Sequence, residues 1–354
     1  MEEVLEGKVT QYVGRLAPSP TGALHLGNAR TFMIAWLRAR SRGGKVIFRM
    51  EDLDHPKDKP GAAAQAVEDL KWLGFDWDEE YVQSERKAIY RQALESLLHP
   101  HQAPGTKHQT LIYPCVCSRR DVEAAQSAPH AGEQLFYPGT CRGRFKTWGE
   151  AHEFKTAGGQ QAYNSKSGSG VPCWRFMVEP GTVVAFDDAF AGHYEQDVSR
   201  TLGDFPLARD EFGAGYTLAC TVDDLLMGVT EVVRGDDLLA ATPAQILLAR
   251  ALSKKFKHRV TETQRERGNA LCLCDSVLKY CHVPLVVGRD GKRLAKRHGD
   301  TRIATYRELG KSPEEVVGLL ASSCGWAAKG ERLSLRDLLP RFDLGTIPRT
   351  PFMI

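Results

Sequence analysis

The chain has 354 residues, 47 Lys+Arg against 44 Asp+Glu, and 42% apolar residues; at roughly 150 residues per domain that is about two domains' worth, enough to bury a core. No stretch approaches the roughly 18 consecutive apolar residues of a membrane helix, and the acidic segment 1–7 does not read as a secretory signal. A net charge of +3 argues neither for nor against a nucleic-acid partner, while nine cysteines, an odd count with two Cys-x-Cys pairs, fit a soluble chain of the reducing cytoplasm better than a disulfide framework.

Residues 11–16 read as a short strand that stops at the turn-forming run Ala17-Pro18-Ser19-Pro20-Thr21-Gly22. A helix is predicted over 25–42, with Leu26, Phe32, Met33, Trp36 and Leu37 near helical spacing and Gly43-Gly44 ending it. A second strand follows over 45–50 and a second helix over 61–73, closing at Gly74. Strand, Gly-containing turn, helix, strand is a βαβ unit, so the expected class is α/β with a Rossmann-like parallel sheet. From 113 to 181 the pattern degrades into cysteines, glycines and short apolar runs, as in an insertion. Alternation returns with 216–221 read as a strand and 229–233 as another. A helix over 242–252 has Thr242 as a plausible N-cap and Pro243 at its first position. A strand over 283–287 leads into a basic loop at 288–297, and 301–354 reads as helical with loops. The polar stretches 99–110 and 261–269 read as surface insertions with no assigned role. The expected division is 8–112 for the first half of the sheet domain, 113–200 for the inserted subdomain, 201–300 for the second half and 301–354 for a short helical end.

Three constellations carry chemistry. The first is residues 18–28, PSPTGALHLGN, at a strand-to-helix junction. Unpaired N–H groups and the positive dipole end of a helix attract phosphate there. Gly22 and Gly27 leave room for a ligand against the backbone, and His25 can donate to a phosphate oxygen, or simply cap a tight turn. The second is residues 291–298, GKRLAKRH, whose four Lys/Arg in eight residues suit the charge that builds on a leaving pyrophosphate or form a solvated basic turn. The third is Cys115-x-Cys117 followed by Tyr137-Pro-Gly-Thr-Cys141, sulfur donors that suit tetrahedral zinc. Cys272 and Cys274 offer a rival set, and three buried free cysteines are the plain alternative.

Together the first two segments resemble the paired signatures of class I aminoacyl-tRNA synthetases, His25-Leu26-Gly27-Asn28 standing for the first and residues 293–297, RLAKR, for the second. Residues 14–22 (GRLAPSPTG), 48–54 (FRMEDLD) and 228–236 (GVTEVVRGD) resemble the glutamyl branch, in order, and the likeness runs from about Gly14 to Trp326. Only 298–354 follows the second signature, which leaves no room for an anticodon-binding region of roughly 100 residues or more. The chain is therefore similar to the truncated family of glutamyl-queuosine tRNA(Asp) synthetases.

That resemblance implies ATP-dependent activation of L-glutamate and its transfer to queuosine in the anticodon of tRNA(Asp). It implies a cytoplasmic monomer with one structural zinc on Cys115, Cys117, Tyr137 and Cys141, and Mg²⁺ carried with ATP. Arg15, Ala17, Ser19, Glu51, Tyr216 and Arg234 would form the glutamate pocket, and Pro18, Gly22, His25, Gly27, Asn28 and Lys296 the ATP site. His25 and Lys296 would be the catalytic pair. Two guanidiniums and one carboxylate match the two carboxylates and one ammonium of glutamate, without assigning either arginine to either carboxylate. The chain departs from the family in Ala295 and Thr217. Two other readings stay open: a ligase for tRNA(Glu) without its anticodon domain, and a non-catalytic RNA-binding paralogue. The arginines of the helix predicted over 25–42, Arg30, Arg38, Arg40 and Arg42, are candidate RNA-phosphate contacts or plain solvated surface.

Overall fold

Six residues, KVIFRM, form β2 (Lys45–Met50) with five of the six buried, the pattern of a strand covered on both faces. It lies between β1 (Val13–Leu16) and β3 (Glu79–Val82), all three parallel. The computed structural model describes residues 11–53, 59–98, 110–125, 136–157, 171–263, 278–292, 294 and 301–354. Lys296 with residues 293, 295 and 297 of the basic loop, Cys272 and Cys274, and much of the two polar insertions lie outside the described residues.

Helix α1 (Leu26–Arg40) connects β1 to β2, and α2 (Ala62–Trp72) connects β2 to β3. Gly43 follows α1 at φ +61, the left-handed conformation a helix exit demands of glycine. α3 (Lys87–Leu98) then leads to a small antiparallel sheet of β4 (Ile112–Cys115), β5 (Cys173–Phe176) and, further along the chain, Phe205–Ala208. Between β4 and β5 run α4 (Arg119–Ala125) and α5 (Trp148–Thr156). The hairpin β6 (Val183–Asp188) and β7 (Gly192–Asp197) does not stay with that sheet. Its β6 joins β10 (Lys279–Val283), which pairs in parallel with β9 (Glu231–Gly235), giving the order β7-β6-β10-β9. Pairing thus crosses residue 200: the third strand of the small sheet is β8 (Phe205–Ala208), after α6 (Val198–Thr201), and β6 belongs with the later strands.

Residues 216–221 are not a strand. They open α7 (Tyr216–Leu226), whose Leu218 to Asp224 are all buried. A helix buried all round loses the 3.6-residue alternation and cannot be told from a core strand by pattern alone. Thr242 is not an N-cap either: α8 (Thr242–Thr263) continues a 3-10 turn, and the Thr242 hydroxyl donates backwards to Leu238 O at 3.0 Å. The strand expected over 283–287 is split by Pro284 into β10 and β11 (Val286–Val287). After α9 (Ile303–Glu308) and α10 (Pro313–Ser322), the otherwise helical end returns as β12 (Phe352–Met353), parallel to β11.

The three-stranded parallel sheet and the mixed four-stranded sheet meet at β1 and β9 without forming a ladder. Thr230 N donates to Val13 O at 2.9 Å, Arg15 Nη1 donates to Val233 O at 2.8 Å, and α1 packs on both strands. The chain diverges from β1 and β9 at their carboxyl ends, the place where open α/β sheets bind ligands.

Candidate active site

At that divergence the loop after β1 turns into α1, and His25 occupies the N-cap. Asn28 N donates to His25 Nδ1, and Asn28 Oδ1 accepts from His25 N, each at 3.4 Å. The capping role is real, and it also fixes the ring. With Nδ1 accepting, a neutral imidazole carries its proton on Nε2. Residues 24–26 are clasped from the far side by the segment that follows the basic loop, through Leu26 N to Thr301 O and Ile303 N to Leu24 O, both 2.9 Å.

A cavity of about 500 Å³ opens here. Ala17, Pro18, Ser19, Gly22, His25, Gly27 and Asn28 line it from the loop and helix start, Arg15 and Glu51 from β1 and the end of β2, Tyr216 from the start of α7 and Arg234 from β9. Every described residue assigned from sequence to the glutamate or ATP site therefore borders one space. A Cβ at Gly22 would meet nothing within 4 Å, whereas one at Gly27 would come within 3.1 Å of the His25 ring.

The charges are held by partners inside the walls, Arg49 beside Glu51 being legible in the sequence and the others brought in by the fold. Glu51 Oε1 accepts from Arg49 Nη2 at 3.0 Å and from the Cys220 thiol at 3.1 Å. The fully buried Arg49 also donates to Asp224 Oδ1 at 2.7 Å, and Arg15 Nε lies 3.8 Å from the same oxygen. The pairing of Glu51 with Arg49 and its place in the cavity are thus both real. On the other wall, Arg234 donates from Nε to His282 Nε2 at 3.0 Å and from Nη2 to Thr242 Oγ1 at 2.7 Å. His282 Nδ1 lies 2.6 Å from Asp188 Oδ2. Burial pushes Asp188 up, but hydrogen bonds from His282 and from the backbone N–H of Ala191, His282 and Phe190 outweigh it and hold its pKa at about 2. Burial, reinforced by Arg234, pushes His282 below the ordinary histidine range despite its hydrogen bond to Asp188.

Most of the arginines around α1 are committed to the fold. Arg30 is buried and donates to Pro284 O and Ser323 Oγ, Arg38 to both oxygens of Glu231, and Arg40 to Asp76 and Asp78. Arg42 alone stays exposed, over the Tyr12 ring.

A second cluster sits beside β4. The thiols of Cys115, Cys117 and Cys141 all lie within 4.8 Å of one another. The Tyr137 hydroxyl is 3.2 Å from Cys115 Sγ and 3.7 Å from Cys117 Sγ. Arg175 Nε donates to Cys115 Sγ at 3.2 Å. Hydrogen bonds from neighbouring thiols, Cys117 first, together with the Arg175 charge, hold the Cys115 thiol well below its ordinary pKa, while the same contacts push Cys117 and Cys141 up, so the cluster shares one thiolate centred on Cys115. The donor set fits a soft or borderline metal ion.

The chain matches the family described as tRNA synthetases class I (E and Q), catalytic domain, over residues 11–273. The mixed α/β fold with its parallel sheet and cavity at the strand ends is that of a class I synthetase catalytic domain. The chain is 43% identical over 352 residues to a glutamyl-Q tRNA(Asp) synthetase of Symbiobacterium thermophilum, covering 96% of this chain and 95% of that one. It is 39% identical over 368 residues to one of Rhodopirellula baltica, with 97% and 96% covered. A crystal structure of a glutamate tRNA ligase from Elizabethkingia meningosepticum in complex with its amino acid aligns at TM-score 0.70 and 25% identity, over 97% of this chain and 67% of that one. The chain belongs to the glutamyl-Q tRNA(Asp) synthetases, ligases of the class I tRNA synthetase family.

Proposed function

We propose that this enzyme activates L-glutamate with ATP and transfers the glutamyl group to queuosine in the anticodon of tRNA(Asp). The observation that carries the reading is the meeting of Arg15, Glu51 and Arg234 around the cavity into which the start of α1 opens. Two guanidiniums and a carboxylate complement a zwitterionic dicarboxylic acid, and the helix N-terminus beside them suits the phosphates of ATP.

The substrate α-carboxylate is already an anion at neutral pH, so the first step needs no general base. It attacks the α-phosphorus in line, forming the mixed anhydride as pyrophosphate leaves, and the protein's work is alignment and charge stabilisation. Glu51 receives the α-ammonium, and Arg15 and Arg234 the carboxylates. His25, with Nδ1 committed to Asn28, presents Nε2–H to phosphate oxygen, and Lys296 supplies a cation from the basic loop. Mg²⁺ entering with ATP would neutralise phosphate charge. In the second step a hydroxyl of the queuosine cyclopentenediol attacks the anhydride carbonyl and AMP leaves. Cys115, Cys117, Cys141 and the Tyr137 oxygen would hold one zinc ion as a structural brace for the small antiparallel sheet.

Similarity supports the anticodon-modifying reading over aminoacylation of tRNA(Glu): identity is 43% to the Symbiobacterium and 39% to the Rhodopirellula relative, against 25% to the Elizabethkingia ligase. ATP–pyrophosphate exchange driven by glutamate without tRNA tests the first step. Labelled glutamate offered with purified tRNAs tests the second, and we expect label on tRNA(Asp) only when queuosine is present. Label on tRNA(Glu) would favour the other ligase reading, and no exchange from folded protein would favour an RNA-binding role.

A further inference from the structure

His282 and Arg234 face each other directly in the parallel register of β10 and β9, so their side chains leave the sheet on one face. Tyr280, two residues earlier on β10, shares that face, its ring stacked on His282 and 5.5 Å from the Arg234 guanidinium. Arg234 is buried, and two of its three nitrogens are spent inside the wall, Nε on His282 and Nη2 on Thr242. Nη1 donates to no described residue, and the side chain lines the cavity. The orientation of that last donor edge is therefore set by what Nε and Nη2 grip.

An arginine N–H can be accepted at His282 Nε2 only if that nitrogen carries no proton. Asp188 enforces this. Its Oδ2 lies 2.6 Å from Nδ1, and its Oδ1 accepts from the backbone N–H of Phe190, Ala191 and His282. The charged groups facing the ring are Asp188 from β6, Arg234 from β9 and Arg15 from β1. A second positive charge on the ring would be opposed by both arginines.

We infer that Asp188 and His282 form a relay that positions Arg234 for a carboxylate of the amino-acid substrate, by fixing the imidazole in the Nδ1–H form. Neither residue borders the cavity, so both act through Arg234 as positioning residues. The inference rests on the glutamate-activating role proposed above for the cavity, and it extends that pocket by one layer to residues 46 and 48 positions away from Arg234 in sequence.

Asp188→Asn is the informative variant. Three backbone N–H groups hold the position of Oδ1, so the asparagine oxygen takes that place and its NH₂ faces Nδ1. The imidazole then shifts its proton to Nε2, directly opposite Arg234 Nε–H. We expect ¹⁵N NMR of imidazole-labelled full-length protein to show Nε2 bare in the wild type and protonated in the variant. In ATP–pyrophosphate exchange the glutamate KM should rise about tenfold to a hundredfold, with the ATP KM within about twofold. His282→Leu should behave alike, while His282→Gln, which restores a neutral acceptor, should recover to within about threefold of wild type. An unchanged tautomer, an unchanged glutamate KM, equal rises in both KM values, or no rescue by glutamine would each overturn the relay. A wild type silent in exchange would instead overturn the functional reading and with it the substrate end of the inference, while the NMR tautomer still decides whether the grip on Arg234 exists.

Discussion

Glu51 shows how one carboxylate is aimed. Arg49 and Cys220 both donate to Oε1, and the side chain borders the cavity. Glu51→Gln keeps the shape and removes the charge. A charge-assisted contact contributes about 2 kcal/mol, so the glutamate KM is expected to rise about thirtyfold in pyrophosphate exchange, with the ATP KM little changed. An equal rise for ATP would argue against an ammonium site. Gly203 is a residue of another kind: its φ is +65, and a Cβ there would lie 2.2 Å from Tyr137 O. Gly203→Ala should destabilise the protein by about 2 kcal/mol or more, since both strain and overlap must be relieved. Because Tyr137 would shift, bound metal measured by elemental analysis should fall with it. The pocket residues themselves were legible because they sit in short contiguous motifs. Cys220 and Asp224 were not: nothing in a buried apolar helix announces that one turn of it supports a carboxylate just past β2.

At the level of elements, β2, α1 and α2 could be read because glycines end both helices and apolar residues run through the strand. α7 was read as a strand because its burial leaves no polar face to set a period. His282 and Asp188 could not be paired from sequence, being 94 positions apart and joined only when β6 crosses into the sheet of β10. That junction is pH-sensitive. Asp188 is held at about 2 against an ordinary 3.8, which contributes about 2 kcal/mol above the ordinary value. This is lost as pH falls from roughly 4 toward 2. His282 is also depressed, so the unfolded chain takes up its proton first, and its share of stability is lost as pH falls below the ordinary 6.5. Urea midpoints of the wild type and His282→Gln should therefore converge as pH drops from 7 to 5. A gap that widens, or stays constant, would mean the ring is already charged in the native protein. The small antiparallel sheet depends on a different device. With the zinc proposed for Cys115, Cys117, Cys141 and Tyr137 as its brace, chelation should release amide protection around 115–118 and 137–142 while β1 and β2 keep theirs, as hydrogen exchange would register.

Across the whole molecule, the cavity exists because β1 and β9 stand side by side without a full ladder, so their carboxyl ends can part. What joins the two halves is mostly side chains. Tyr12 and Arg38, from before β1 and from α1, both donate to Glu231 at the start of β9; the Arg38 pair is bidentate, with Nη2 to Oε1 at 2.8 Å. Glu231 is buried, and Arg38 nearly so. Hydrogen bonds from Arg38 and Tyr12, with the Arg38 charge, outweigh burial and keep Glu231 below its ordinary pKa. Removing one member of such a pair strands the other, at about 3–5 kcal/mol. Glu231→Ala should therefore lower the unfolding midpoint and loosen the joint from which both walls of the cavity are hung. Because the ATP side rides on α1 and Arg234 on β9, the KM values for glutamate and ATP should rise together in this variant, unlike the selective change expected at Asp188. Finding only the glutamate term altered would show that the two half-sheets are braced elsewhere. The buried α1 contacts of Arg30 with Pro284 and Ser323 would then be the next joint to break.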